Sequence, residues 1–153
     1  MSRDRYDKKN LKITQWAALI LQVLFVVLIF LPAGNLTDSR LPVNSLQMGL
    51  LYLKYGDWIH FIGGLLYCVP LLVLPVAIWL ITFLRKTRSR YGVCIGMCSW
   101  EFISSSIFYT VVAHRMSGIL TLKSCVCYAV VLLEILNAAL FLHAFMLAWK
   151  KPN

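Results

Sequence analysis

Acid is scarce in this sequence. Six acidic residues stand against fifteen basic ones, for a net charge of +9, and charged residues of both signs make up only 14% of the 153 residues. With 60% of the chain hydrophobic, no separate soluble domain is expected. No internal repeat, low-complexity tract or long linker is present, which excludes a solenoid and a string of tethered modules. The five cysteines form neither a CxxC pair nor a zinc spacing, since Cys94 and Cys98 are four apart and Cys125 and Cys127 two apart. Buried small hydrophobes account for them, and no metal or cofactor is expected. The first apolar run also lacks a small-x-small cleavage site, Leu31-Pro32-Ala33 being a poor one. At about 19 residues that run exceeds the roughly 7 to 15 of a signal-peptide core, so it reads as a span.

The chain does have long apolar runs, at residues 13–31, 58–84, 91–113 and 124–149. Each reaches or exceeds the roughly 20 residues needed to cross a ~30 Å hydrocarbon core. The expected fold is an all-α integral membrane protein, a left-handed antiparallel four-transmembrane-helix bundle in which residues 1–153 form a single transmembrane domain. Basic residues set its orientation, because cytoplasmic loops retain an excess of Lys and Arg. Arg3, Arg5, Lys8, Lys9 and Lys12 precede the first span, Arg85, Lys86, Arg88 and Arg90 join the second to the third, and Lys150 and Lys151 follow the fourth. Those eleven belong on one side, and only Arg40, Lys54, Arg115 and Lys123 fall on the other. Both termini are therefore expected in the cytoplasm. With no convincing organelle signal, the expected location is the cell membrane.

The positive charge does not point to nucleic acid, because the basic residues sit beside span ends rather than on one surface interleaved with aromatics. The lipid bilayer is the expected partner. Anionic headgroups gain about 1 kcal/mol per juxtamembrane Lys or Arg. Arg85, Lys86, Arg88 and Arg90 form the densest patch and serve as a topology determinant.

The only sizeable exposed segment is the first outer loop, residues 32–57. Pro32, Gly34, Asn35, Asp38, Ser39 and Pro42 mark turns in its first half. From Ser45 onward Leu46, Leu50 and Leu53 recur at helical spacing, which predicts a short interfacial helix. In the second span Pro70 and Pro75 free the carbonyls of Leu66 and Leu71 and predict a bend. Gly63 and Gly64 there allow a neighbour's backbone to come close.

Chemistry, if the chain has any, lies with its only two glutamates, one in each of the last two spans. Glu101 is about 16 Å along the helix from Arg90, near the bilayer midplane, and Glu134 is as far from Lys123 on the opposite side. Measured from Lys150 the depth of Glu134 becomes about 24 Å, so the match depends on how the long fourth helix tilts. Intramembrane acids face the protein interior and are paired, hydrogen-bonded or protonated. Cys94, Cys98, Glu101, Ser105, Phe108 and Val112 share one helical stripe, and Glu134, Asn137 and Ala138 share another. Glu101, Glu134, Asn137 and Ser105 are thus the candidate polar or proton site. Hydrogen bonds among them could equally serve to hold helices together.

His60 and His114 should approach each other near the outer ends of the second and third spans, a haem or metal arrangement on paper. Solvation among the headgroups explains them more simply. No catalytic constellation is present, and no motif is specific to a known family. The leading expectation is an accessory, assembly or interaction subunit of a membrane complex, bound to another membrane protein or to copies of itself. The alternative is a small proton-coupled transporter or channel subunit that uses Glu101 and Glu134.

Overall fold

The computed structural model describes residues 3–54, 58–84 and 88–149, with the backbone alone in 3–7 and 58–60. In chain order the elements are α1 (Arg3–Phe30), β1 (Pro32–Leu36), β2 (Pro42–Asn44), α2 (Ser45–Lys54), α3 (Trp58–Leu84), α4 (Ser89–Arg115), β3 (Leu120–Leu122) and α5 (Ser124–Trp149). The structure is 83% helical. Four stretches are long and apolar enough to span a membrane: Lys8–Phe30, Phe61–Leu84, Ser89–Arg115 and Ser124–Trp149.

Burial runs the opposite way from that of a water-soluble protein. Large apolar side chains such as Ile20, Val27, Val73, Val76, Ile103, Ile107 and Leu132 are exposed, whereas Gln22, Glu101, Ser105, Glu134 and Asn137 are each only 1% exposed. An apolar belt around a polar interior is costly in water and natural in hydrocarbon, where the unfavourable contact is between polar groups and lipid. This is the surface of a multi-pass membrane protein.

Among the long helices, α5 packs against both α1 and α4, α4 also packs against α3, and α1 touches α3 more lightly. Two apolar clusters result. One gathers Phe25, Ile29, Tyr67, Leu71, Phe108, Val112, Cys127 and Val130 toward the sheet. The other gathers Ala18, Ile78, Tyr91, Cys94, Cys98, Phe141 and Ala144 toward the opposite end. α3 runs unbroken through Pro70 and Pro75.

The principal departure from an all-helical expectation is a three-stranded sheet of order β2-β1-β3. The segment expected as turns provides its first two strands, and the link between α4 and α5 provides the third. β1 is central and antiparallel to both neighbours, pairing Gly34 with Val43 on one side and with Leu122 on the other. Pro32 starts this strand and also ends α1, because the residue before a proline is pushed out of the helical region.

Helix α2 starts where the leucine spacing placed it. Its first turn is closed by a reciprocal pair: the Asn44 side-chain carbonyl accepts from the Gln47 backbone N–H at 2.8 Å, and the Gln47 side-chain carbonyl accepts from the Asn44 N–H at 3.0 Å. Each bond satisfies a donor that the helix itself leaves unused. α2 then lies along the start of α3, with Gly49 against Cys68 and Gly64 against Leu53. A Cβ at Gly64 would stand 2.6 Å from the Leu53 side chain, so the close approach requires glycine there.

Candidate functional site: a polar layer in the helix core

Three long helices each contribute polar side chains at the boundary between the two apolar clusters. On α1 this is Gln22, between Ala18 and Phe25; on α4, Glu101 and Ser105, between Cys98 and Phe108; on α5, Glu134 and Asn137, between Val130 and Phe141. The residues therefore form a single polar layer with apolar packing above and below.

Hydrogen bonds within the layer connect α1 to α4 and α4 to α5. Gln22 Nε2 donates to Glu101 Oε2 at 3.2 Å and lies 3.7 Å from Cys98 Sγ. α1 and α4 are not closely packed neighbours, so Gln22 reaches across the interior to make these contacts. Ser105 Oγ donates to Glu134 Oε1 at 2.6 Å. Ser105 is one helical turn from Glu101, and this bond therefore places the two carboxyls within roughly one turn, about 6 Å, of each other in level.

Each carboxyl uses one oxygen in this way. The second oxygen of each, Glu101 Oε1 and Glu134 Oε2, is buried with no partner within the described residues, and so are the amide oxygens Gln22 Oε1 and Asn137 Oδ1. An unsatisfied buried polar atom costs about 1–3 kcal/mol. Among the described residues no basic side chain is buried, so no fixed positive charge opposes the two acids.

Of the four residues expected to form this site, all are brought into one layer, and Gln22 joins them unforeseen. Its signal was in the sequence. It is the strongest hydrogen-bonding side chain in the middle of the first apolar run, and its ten-residue distance from Lys12 nearly equals that of Glu101 from Arg90.

Arg90, expected at the headgroups, is held by protein groups. Its Nη1 donates to the Thr82 carbonyl at 2.9 Å, satisfying a carbonyl in the last turn of α3, and its Nη2 donates to the Tyr91 hydroxyl at 2.7 Å. That hydroxyl donates in turn to Gln15 Oε1 at 3.3 Å, which ties α1, α3 and α4 together at this end. Arg88 is half-buried, and Arg85 and Lys86 lie outside the described residues. The proposed His60–His114 approach falls in part outside them too, because only the backbone of His60 is described; His114 is exposed at the end of α4. Among the described residues no group of three or more His, Cys, Asp and Glu side chains could hold a metal.

A second polar contact fastens α2 to the bundle. Ser45 Oγ and the Tyr109 hydroxyl are 2.8 Å apart, and the Tyr67 hydroxyl donates to that of Tyr109 at 3.0 Å. The Tyr67 ring stacks on Phe108 with centroids 3.5 Å apart. This cluster consists of hydroxyl groups that bond one another and link α2, α3 and α4.

No protein-family model, curated protein or solved structure matches this chain. Chemical inference therefore rests on the layer's own atoms.

Proposed function

We propose that the chain is a four-span protein of the cell membrane, an antiparallel bundle with both termini in the cytoplasm, whose core acid pair binds protons as part of a small transport or channel component. The supporting observation is the set of four carboxyl and amide oxygens without partners among the described residues. Two of them, on Glu101 and Glu134, can each carry a proton, and the other two, on Gln22 and Asn137, can only accept a hydrogen bond. Two protons on the carboxyls supply two new donors to a layer that has acceptors to spare. Purely structural bonding between helices would not require this surplus of acceptors. A proton leaving the layer exposes a carboxylate with one hydrogen bond and no counter-charge, at a depth where a charged acid costs about 3 kcal/mol on insertion scales. Release is therefore tied to whatever brings water or a cation to the layer, which is the coupling that a transporter needs.

The test uses protein reconstituted in vesicles. Infrared difference spectra across a pH step should contain a carboxylic-acid C=O band that Glu101→Gln and Glu134→Gln each diminish. A pH gradient should decay faster in these vesicles than in empty ones, and each substitution should return it to the empty-vesicle rate. Proton flux that survives both substitutions would remove the transport reading, and absence of the band from the wild type would remove the proton site itself.

A second reading, an accessory or assembly subunit that binds another membrane protein or further copies of itself, is favoured by a different observation. The sheet and α2 join both loops at one end into a single folded surface that takes no part in the polar layer. Purification in mild detergent with native mass measurement separates the readings, since a foreign subunit in fixed stoichiometry would assign the function to a complex. Topology has its own expected result. Single cysteines at Ser39 and Ser89, in a background without native cysteines, should label from opposite sides of the membrane, and labelling of both from outside would refute the orientation.

A further inference from the structure

Beyond the polar layer, α3 and α4 enclose between them an apolar groove that opens sideways toward the surface where the belt of exposed apolar side chains lies. Its volume is about 330 Å³, and its walls include Leu66, Tyr67, Ile103, Ile107 and Val111, with Arg115 also on its lining. A second hollow of about 220 Å³ shares Leu66 and Trp100 with the first and extends along α3 to Leu74. From Arg115 to Trp100 the groove follows fifteen residues of α4, about 22 Å. One leaflet of the hydrocarbon core is about 15 Å deep, half of the ~30 Å total.

The groove is thus long enough for one lipid tail. Its lining is predominantly apolar, interrupted by the Ser104 hydroxyl, and has a guanidinium at the end where α4 finishes and the chain turns into β3. Among the described residues no acidic side chain forms an ion pair with Arg115, which is exposed. A site with a cation at its mouth and an apolar slot behind it complements an amphiphile of the opposite charge. We propose that this groove binds one anionic phospholipid, with an acyl chain lying between α3 and α4 and the headgroup phosphate on Arg115. The volume is at the lower end of the range for ligand pockets, which suits a single chain rather than a whole lipid.

Two measurements test this. In a variant keeping Trp100 as the only tryptophan, with Phe at 16, 58, 79 and 149, vesicles containing phosphatidylglycerol with brominated tails should quench emission more than vesicles with equally brominated phosphatidylcholine. The difference should be roughly fivefold in apparent affinity, the share of one basic residue near the surface. Arg115→Gln should abolish it, while Lys123→Gln should leave it intact. Equal quenching by the two lipids, or a preference that survives Arg115→Gln, would overturn the proposal. The second measurement needs no tryptophan replacement. Native mass spectrometry of the wild type in mild detergent with added phosphatidylglycerol should find one lipid retained per chain and none on Arg115→Gln. A lipid-free dimer would show instead that a second copy of the chain fills the groove.

Discussion

Gly34→Val will cost the protein roughly 2–4 kcal/mol, while Gly96→Ala will leave it unchanged or more stable by up to about 1 kcal/mol. The contrast follows from what a new Cβ would meet. At Gly34 it would stand 2.8 Å from the Thr121 backbone oxygen and 3.2 Å from the Met48 side chain; at Gly96 nothing lies within 4 Å. The methionine can move, but the carbonyl belongs to β3, which pairs with β1 on that side. Relieving the clash means moving the central strand off its neighbour, and Ala33, Val43, Met48 and Leu120, which pack together at the sheet, would lose contact with it. Gly96 is an exposed helical position, where alanine adds propensity and touches nothing. Thermal unfolding in detergent, followed by tryptophan emission, gives the order. Equal midpoints for the two variants would show that the sheet contributes nothing to holding the fold together.

The second large effect is in the polar layer, where removing one partner should do more damage than removing both. Gln22→Leu takes away the donor to Glu101 Oε2, and since Glu101 Oε1 is already unpartnered, the whole carboxyl is left without a bond. The expected loss is about 1–3 kcal/mol. Gln22→Leu combined with Glu101→Leu removes the orphaned acid as well as its partner, and stability should return to the wild-type value or pass it, as it does when both members of a buried polar pair become apolar. Ser105→Ala should act like Gln22→Leu, because Ser105 Oγ is the one bonded partner of Glu134. Unfolding free energies of Gln22→Leu, Glu101→Leu and the double variant, set against the wild type, complete the cycle. A double variant as unstable as the sum of its parts would mean that the two residues act independently and that the bond across the interior is of no consequence. Recovery of stability without recovery of proton flux would separate the packing contribution of the layer from its chemistry.

How much of this was legible in advance varies from residue to residue. The helix over Ser45–Lys54 could be read because its leucines repeat at helical spacing, and the Asn44-x-x-Gln47 closure that starts it is itself a local pattern. The buried stripe of α4 could be read for the same reason, and Cys94, Cys98, Glu101, Ser105, Phe108 and Val112 are all buried. The sheet could not. β1 and β2 contain Pro, Gly and Asn, which are poor strand formers, and β3 is Leu-Thr-Leu, only three residues long, so nothing local distinguishes the three from turns and links. They become strands because α1 packs against α5, so that the chain leaving α1 and the chain entering α5 bring Gly34 opposite Leu122, a pairing between segments far apart in the chain. The protein contacts of Arg90 were not legible for a related reason. A basic residue next to a span end looks like a headgroup anchor until the neighbouring helix presents a carbonyl, here that of Thr82, within its reach.

The sequence by itself determined that four stretches are apolar enough to span a membrane, and that the only glutamates lie within two of them, because hydrophobicity, length and helical period are local quantities that every residue carries with it. It also determined which face of α4 is polar. Which oxygen meets which donor was decided only by tertiary structure. Gln22 finds Glu101 and Ser105 finds Glu134 through the order in which the helices surround the core, leaving four carboxyl and amide oxygens without partners among the described residues. Hydrogen bonds are directional and short, so a partner is fixed by an ångström of position that no spacing along a single helix contains.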